Sequence, residues 1–178
     1  HYFESLEVDT HVLKDAEINL ESMEFLLSYQ GIVLSPGPGL PTETHSMMQV
    51  LAYCAYRVPI FGVCLGMQGI GLAAGEHLVN LEKVRHGIPV RVNLVRDCPM
   101  FHGLPPTFEV GLYHSWGFVA CAPENITAID DQGVVMAISM MEQKWYGVQF
   151  HPESIMTDFG KKIVRNVTQQ IFNIFTKT

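Results

Sequence analysis

The sequence predicts an α/β fold: an open, mostly parallel sheet with helices on both faces and an antiparallel β flank. Three observations carry that expectation. Short apolar runs at 31–34 and 60–63 enclose a segment with helical spacing, which is the pattern of a βαβ unit and hence of a parallel strand pair. Between 77 and 139 the pattern changes to β-rich runs at 90–95, 108–112 and 134–139, separated by Gly, Pro and Asp turns. Residues 145–150 then return as a strand, followed by an amphipathic helical pattern over 159–175.

Taken in order, residues 1–6 read as the end of an amphipathic helix, with Tyr2, Phe3 and Leu6 apolar. Residues 8–13 alternate as a half-buried strand does. Asn19 is placed to cap a helix whose apolar residues Leu20, Met23, Leu26 and Leu27 fall at helical spacing. The loop 35–41, Ser-Pro-Gly-Pro-Gly-Leu-Pro, breaks regular structure before a helix over 44–56. The strand 60–63 runs into a helix over 65–74, stopped by Gly75. No repeat, low-complexity tract or linker divides the chain, so 1–178 reads as a single domain.

The chain has 178 residues, of which 48% are hydrophobic and 16% charged, enough for a sizeable core. A net charge of −7 with no Lys/Arg cluster argues against a nucleic-acid or anionic-membrane partner and for a small-molecule substrate. No apolar run approaches the roughly 20 residues of a membrane span. Cys54, Cys64, Cys98 and Cys121 are widely spaced and form no C-x-x-C pair, so neither a disulfide framework nor a zinc site is indicated. The expectation is a cytoplasmic protein with no metal or cofactor. The sequons at Asn125 and Asn166 are read as chance matches, since no export signal accompanies them.

Two segments carry chemistry. In Gly62-Val63-Cys64-Leu65-Gly66, a cysteine sits between a strand and a helix with glycine two before and two after it. A nucleophile on so sharp a turn needs small neighbours, and the spacing is the thiol version of the serine elbow. The helix amino end directs free N–H groups at the sulfur, and the Leu65 N–H is placed to donate to an oxyanion. A buried structural cysteine packed between strand and helix is the plainer alternative. The second segment is His151-Pro152-Glu153, where a carboxylate two residues from a histidine at a strand end can hold the imidazole in one tautomer. Here the plainer alternative is a turn. Both segments fall at carboxyl ends of expected strands, the edge where open α/β sheets bind ligands.

The loop Pro36-Gly37-Pro38-Gly39 follows a strand and belongs to the same edge. Pro38 has no N–H, so a second oxyanion donor there is Gly37 or Gly39. It lacks the lysine and spacing of a phosphate loop, and a plain turn is its other reading.

These residues together resemble the class I, triad-type glutamine amidotransferases, and among them the small subunits of anthranilate and aminodeoxychorismate synthases. The resemblance covers most of the chain. It rests on Ser35-Pro-Gly-Pro-Gly39, Gly62-Val-Cys-Leu-Gly66 with Gln68, Tyr113-His-Ser115, and Gly147-Val-Gln-Phe-His-Pro-Glu-Ser154, in that order. It implies a flavodoxin-like fold and a Cys64, His151, Glu153 triad. It also implies an oxyanion hole including Leu65 N–H, and L-glutamine contacts from Gly37 to Gly39, Gln68, Ser115 and Trp116. The ammonia would pass to a chorismate-binding synthase subunit, in tryptophan or folate synthesis.

Four departures from the family pattern stand out. The expected opening strand and its Asn-Tyr-Asp-Ser-Phe-like loop are absent, so the first strand of the sheet is expected to be missing and the domain N-terminally incomplete. Met67 stands where histidine is common, and Trp116 where leucine is. Ile88 follows His86-Gly87 where many relatives carry lysine. Other readings are a γ-glutamyl hydrolase of the same sheet class, and a non-enzymatic partner-binding or redox-sensing domain. His114 is expected to be a structural hydrogen-bonder, His11, His45, His77 and His102 surface or turn residues, and the methionines core filler.

Overall fold

A computed structural model describes residues 3–174, the side chains of 82–86 excepted. One seven-stranded sheet organises them, with strands β1 (Ile32–Leu34), β2 (Ile60–Val63), β3 (Val79–Leu94), β4 (Thr107–Gly117), β5 (Ile126–Asp130), β6 (Val135–Met140) and β7 (Trp145–Val148). Their spatial order is β1-β2-β7-β6-β5-β3-β4. Only β1-β2 and β2-β7 pair in parallel, and the other four pairings are antiparallel. The α/β class holds, but the parallel part is three strands rather than most of the sheet. The expected flank is the larger half, because β3 and β4 form one long hairpin that the sequence shows only in pieces.

Helices α1 (Met47–Cys54) and α2 (Leu65–Ala73) cover one face, and α3 (Gly160–Asn166), continued by a π turn at Val167–Ile171, covers the other. The alternation of a strand side chain above and below its sheet explains the division. On β2 and β7, Phe61, Val63, Tyr146 and Val148 join the α3 core, while Ile60 and Trp145 join the α1/α2 core. Phe61, Ile60 and Val148 are fully buried.

Expectations for the first thirty residues fare worst. Residues 8–13 form no ladder, and Val12 is 82% exposed. Alternation makes a strand only beside another strand, and β1, the sheet's edge, has β2 as its one neighbour among the described residues. The expected helix after Asn19 is a 3₁₀ segment at Glu24–Ser28. Asn19 Oδ1 instead accepts from Glu21 N at 3.0 Å, a local turn that competes with helix entry. Of the helix end expected over 1–6, the described residues form a 3₁₀ turn at Glu4–Leu6, and His1 and Tyr2 lie outside them.

Helix α1 starts three residues later than expected. Pro41–Glu43 forms a 3₁₀ turn, and Asp15, 31 residues before Ser46, then holds the two residues that lead into α1. Its carboxylate accepts from Ser46 N at 2.9 Å, Ser46 Oγ at 2.6 Å and His45 N at 2.5 Å. Burial pushes the Asp15 carboxyl up, but these bonds more than offset it and hold the group below its ordinary value. The closing helix is α3 plus the π turn instead of one α-helix, with Phe172 N bonded to Val167 O five residues back. Phe175, where that helix is expected to end, lies outside the described residues.

Candidate active site

Cys64 follows β2 and precedes α2 with φ 52° and ψ −103°, a backbone conformation that L-residues rarely adopt. The flanking glycines explain how the turn closes. A Cβ on Gly62 would stand 2.4 Å from Gly66 C, and one on Gly66 would stand 2.4 Å from Leu34 O. A Cβ on Gly147 would meet Met67 Cβ at 2.9 Å. Glycines 62, 66 and 147 thus let the first turn of α2 settle directly on β2, β1 and β7. Met67, fully buried, is part of that seat. Leu65 is the first helical residue, so its N–H has no partner within the helix.

His151 lies just past β7, beside β2 in the sheet. Its Nδ1 is 2.7 Å from Glu153 Oε1, which leaves Nε2 for the neighbouring Cys64 sulfur. The loop around it is tied down by Thr157, whose Oγ1 donates to His151 O at 2.6 Å and accepts from Gly111 N at 3.0 Å. The Tyr113 ring packs edge-on against the imidazole at 5.0 Å, and its hydroxyl lies 3.1 Å from Ser154 Oγ. The His151 side chain is 15% exposed and that of Glu153 53% exposed.

Burial of His151 disfavours its protonated form. The hydrogen bonds to Cys64 and Glu153 and the charges of both outweigh that, and its pKa is pushed up to about 9. Burial of Glu153 pushes its carboxyl up in turn, but the His151 hydrogen bond, a backbone N–H and the His151 charge hold it below the ordinary value. At neutral pH the pair is therefore an imidazolium beside a carboxylate. A protonated imidazole next to sulfur is the environment in which a cysteine becomes a nucleophile.

The structure joins most of the predicted residues into one cluster. Gln68, 4% exposed, donates its Nε2 to Trp116 O at 2.9 Å and to Gln149 Oε1 at 3.3 Å. Its amide nitrogen is thus engaged within the protein. Ser115 and Trp116 are half-buried at the end of β4, and the Trp116 carbonyl also accepts from His114 Nδ1 at 2.7 Å. His114 is buried, in the structural role expected of it. Gly37 abuts the elbow, since a Cβ there would lie 3.0 Å from Leu65 Cδ2. Gly39, with φ 79°, turns the loop so that Leu40 N reaches Glu43 Oε2 at 2.8 Å.

One residue of the cluster escaped the sequence reading. Gln149 is fully buried and its Nε2 lies 3.5 Å from Cys64 Sγ. The signal was present: a glutamine in the apolar run Gly-Val-Gln-Phe, two residues before His151 and so on the same side of the strand.

A cavity of about 830 Å³ lies elsewhere, under the β3–β4 connection, lined among others by Arg96, Cys98, Phe101 and His102 and by none of the predicted site residues. Burial pushes the Cys98 thiol up, away from the thiolate form that a nucleophile needs. Among the described residues, no group of three or more His, Cys, Asp or Glu side chains is arranged to hold a metal ion. No helix among them is long and apolar enough to cross a membrane.

The fold and this site define a triad-type thiol amidotransferase. The model of the family described as glutamine amidotransferase class-I matches residues 1–171, and the chain belongs to that family. It is 40% identical over 163 residues to anthranilate synthase component II of Haloarcula marismortui, covering 89% of this chain and 84% of the relative. It is 35% identical over 167 residues to anthranilate synthase component 2 of Saccharolobus solfataricus, covering 90% and 85%. A glutamine amidotransferase structure from Thermotoga maritima superposes with a TM-score of 0.77 at 16% identity, over 96% of this chain and 89% of that one, a likeness of fold.

Proposed function

We propose that this chain is the glutaminase subunit of an anthranilate synthase, releasing ammonia from L-glutamine for a chorismate-binding partner subunit. The observation that carries the reading is the strained Cys64 elbow with His151 on its sulfur and Glu153 on His151. Relatives named anthranilate synthase component II, 35–40% identical over most of the chain, support the choice of pathway. Four free cysteines fit the cytoplasm as its compartment.

The chemistry follows from the positions. Cys64 Sγ attacks the side-chain amide carbon of glutamine, and the carbonyl oxygen takes up the electron pair as an oxyanion. The Leu65 N–H and a glycine N–H of the 37–39 loop face that oxygen, while Ser115 and Trp116 bind the amino-acid end. His151 Nε2 then gives its proton to the departing nitrogen, which leaves as ammonia, and a thioester remains. Neutral His151 next takes a proton from water as its oxygen adds to the thioester carbon. The second oxyanion collapses, the carbon–sulfur bond breaks, and glutamate departs. Glu153 holds the imidazole in the tautomer both steps require.

The test is Cys64→Ala in the complex with the chorismate-binding subunit. Glutamine-dependent anthranilate formation is expected to fall at least ~1,000-fold while synthesis from ammonium salts persists. Unchanged glutamine use would refute the triad, and aminodeoxychorismate as the product would move the chain to the folate pathway.

A further inference from the structure

Gln149 occupies a place that the triad leaves undescribed. The β2–β7 register pairs Gly62 with Gly147 and Val63 with Val148, so the next step sets Gln149 across from Cys64. Backbone bonds fix both residues there, Cys64 N to Val148 O at 2.9 Å and Gln149 N to Met136 O at 2.9 Å. The orientation of the Gln149 amide follows from its neighbours. A backbone carbonyl only accepts, so Trp116 O requires the NH₂ end of Gln68. The same nitrogen, 3.3 Å from Gln149, requires an acceptor there, which is Oε1. The Gln149 NH₂ group is thereby left facing Cys64 Sγ at 3.5 Å.

We propose that Gln149 is a catalytic residue of this site, a fixed hydrogen-bond donor to the Cys64 sulfur that is aligned by Gln68 and the Trp116 carbonyl. Unlike His151, an amide N–H does not exchange its proton in the reaction. The difference matters in the second half of the cycle. His151 enters that half neutral, having given its proton to ammonia, and is then occupied with the attacking water. The sulfur that leaves the tetrahedral intermediate carries an electron pair, and the donor that meets it without having to change state is Gln149. Because Gln149 and His151 are two residues apart on one strand extension, both reach the sulfur from the same segment. The chain of bonds also ends at the Trp116 carbonyl, so the proposed glutamine-binding end of β4 and the nucleophile share one hydrogen-bonded path.

The inference rests on the glutaminase reading for its kinetic arm but has a readout independent of it. Gln149→Met keeps length and removes the donor, and Gln149→Glu keeps shape but turns an acceptor toward the sulfur when ionised. In the full chain, the pH at half-maximal rate of Cys64 alkylation by iodoacetamide, followed peptide by peptide, is expected to rise by about one unit in Gln149→Met and further in Gln149→Glu. With the partner subunit, kcat for glutamine hydrolysis is expected to fall about tenfold in Gln149→Met with KM changed less than about twofold. Gln68→Met, which removes the brace, is expected to shift the alkylation midpoint in the same direction by less. An unmoved midpoint in folded Gln149→Met, with or without a loss of kcat, overturns the proposal. So does failure of both Gln149 variants to fold, which would assign the amide pair to architecture alone. A wild-type chain that hydrolyses no glutamine would sink the glutaminase reading and leave the midpoint shift to decide the role of Gln149.

Discussion

The two halves of the site are held in place by different means. On the β2–α2 side, position comes from atoms that are missing: glycines 62, 66 and 147 let backbone and Met67 approach to distances that a methyl group would forbid. On the β7 side, position comes from bonds that are present: Thr157, Ser154, Tyr113 and Glu153 tether the loop carrying His151. Steric seating is rigid and intolerant, because an added atom has no space to enter. Hydrogen-bonded tethers yield in steps of about 1 kcal/mol and respond to pH. In the proposed mechanism the nucleophile has to be fixed against strain, whereas the base has to exchange protons.

That contrast breaks most easily at Gly66. Gly66→Ala sets a methyl group against Leu34 O and is expected to cost about 3 kcal/mol, lowering Tm by roughly 10 °C in a thermal melt. A neutral effect would show that the seat relaxes and that the two halves are alike. Glu153→Gln comes next. The protein is expected to melt nearly as before, but glutaminase kcat/KM is expected to fall about 100-fold. Its alkaline limb is expected to move from about 9 down toward the ordinary histidine value.

Thr157→Val strips a donor from His151 O and an acceptor from Gly111 N, for an expected loss of about 1.5–2 kcal/mol by denaturant titration. The smallest effect concerns pH. The raised pKa of His151 gives stability that is complete below about 6.5 and lost as pH rises through about 9. The lowered pKa of Glu153 gives stability present above about 4.5 and lost as pH falls below it. The pair is therefore expected to tie the loop most tightly between those limits. Limited proteolysis after His151 across pH checks this, and a Gly66 segment that showed the same pH profile would erase the distinction.

The same division governs what the sequence revealed. The elbow was legible because close approach needs glycine, and glycine at both flanks of one cysteine favours such a turn over a plain buried cysteine. Strands β2 and β7 were legible as apolar runs because both of their faces are buried. Residues 8–13 misled because alternation records a side-chain preference and says nothing of a neighbouring ladder. The length of β3, sixteen residues through Pro89 and a positive-φ Gly87, was hidden because bulges break the period of two. Asp15 as the anchor of the lead into α1 and Gln149 as the neighbour of Cys64 depend on contacts 31 and 85 residues apart, which no local pattern encodes.

The contact of Gly37 with Leu65 has a mechanical consequence. The loop that would bring one oxyanion donor leans on the side chain of the residue that bears the other. A side chain at position 37 would therefore have to displace Leu65, so the packing of the 35–40 loop and the seat of the first residue of α2 are set together.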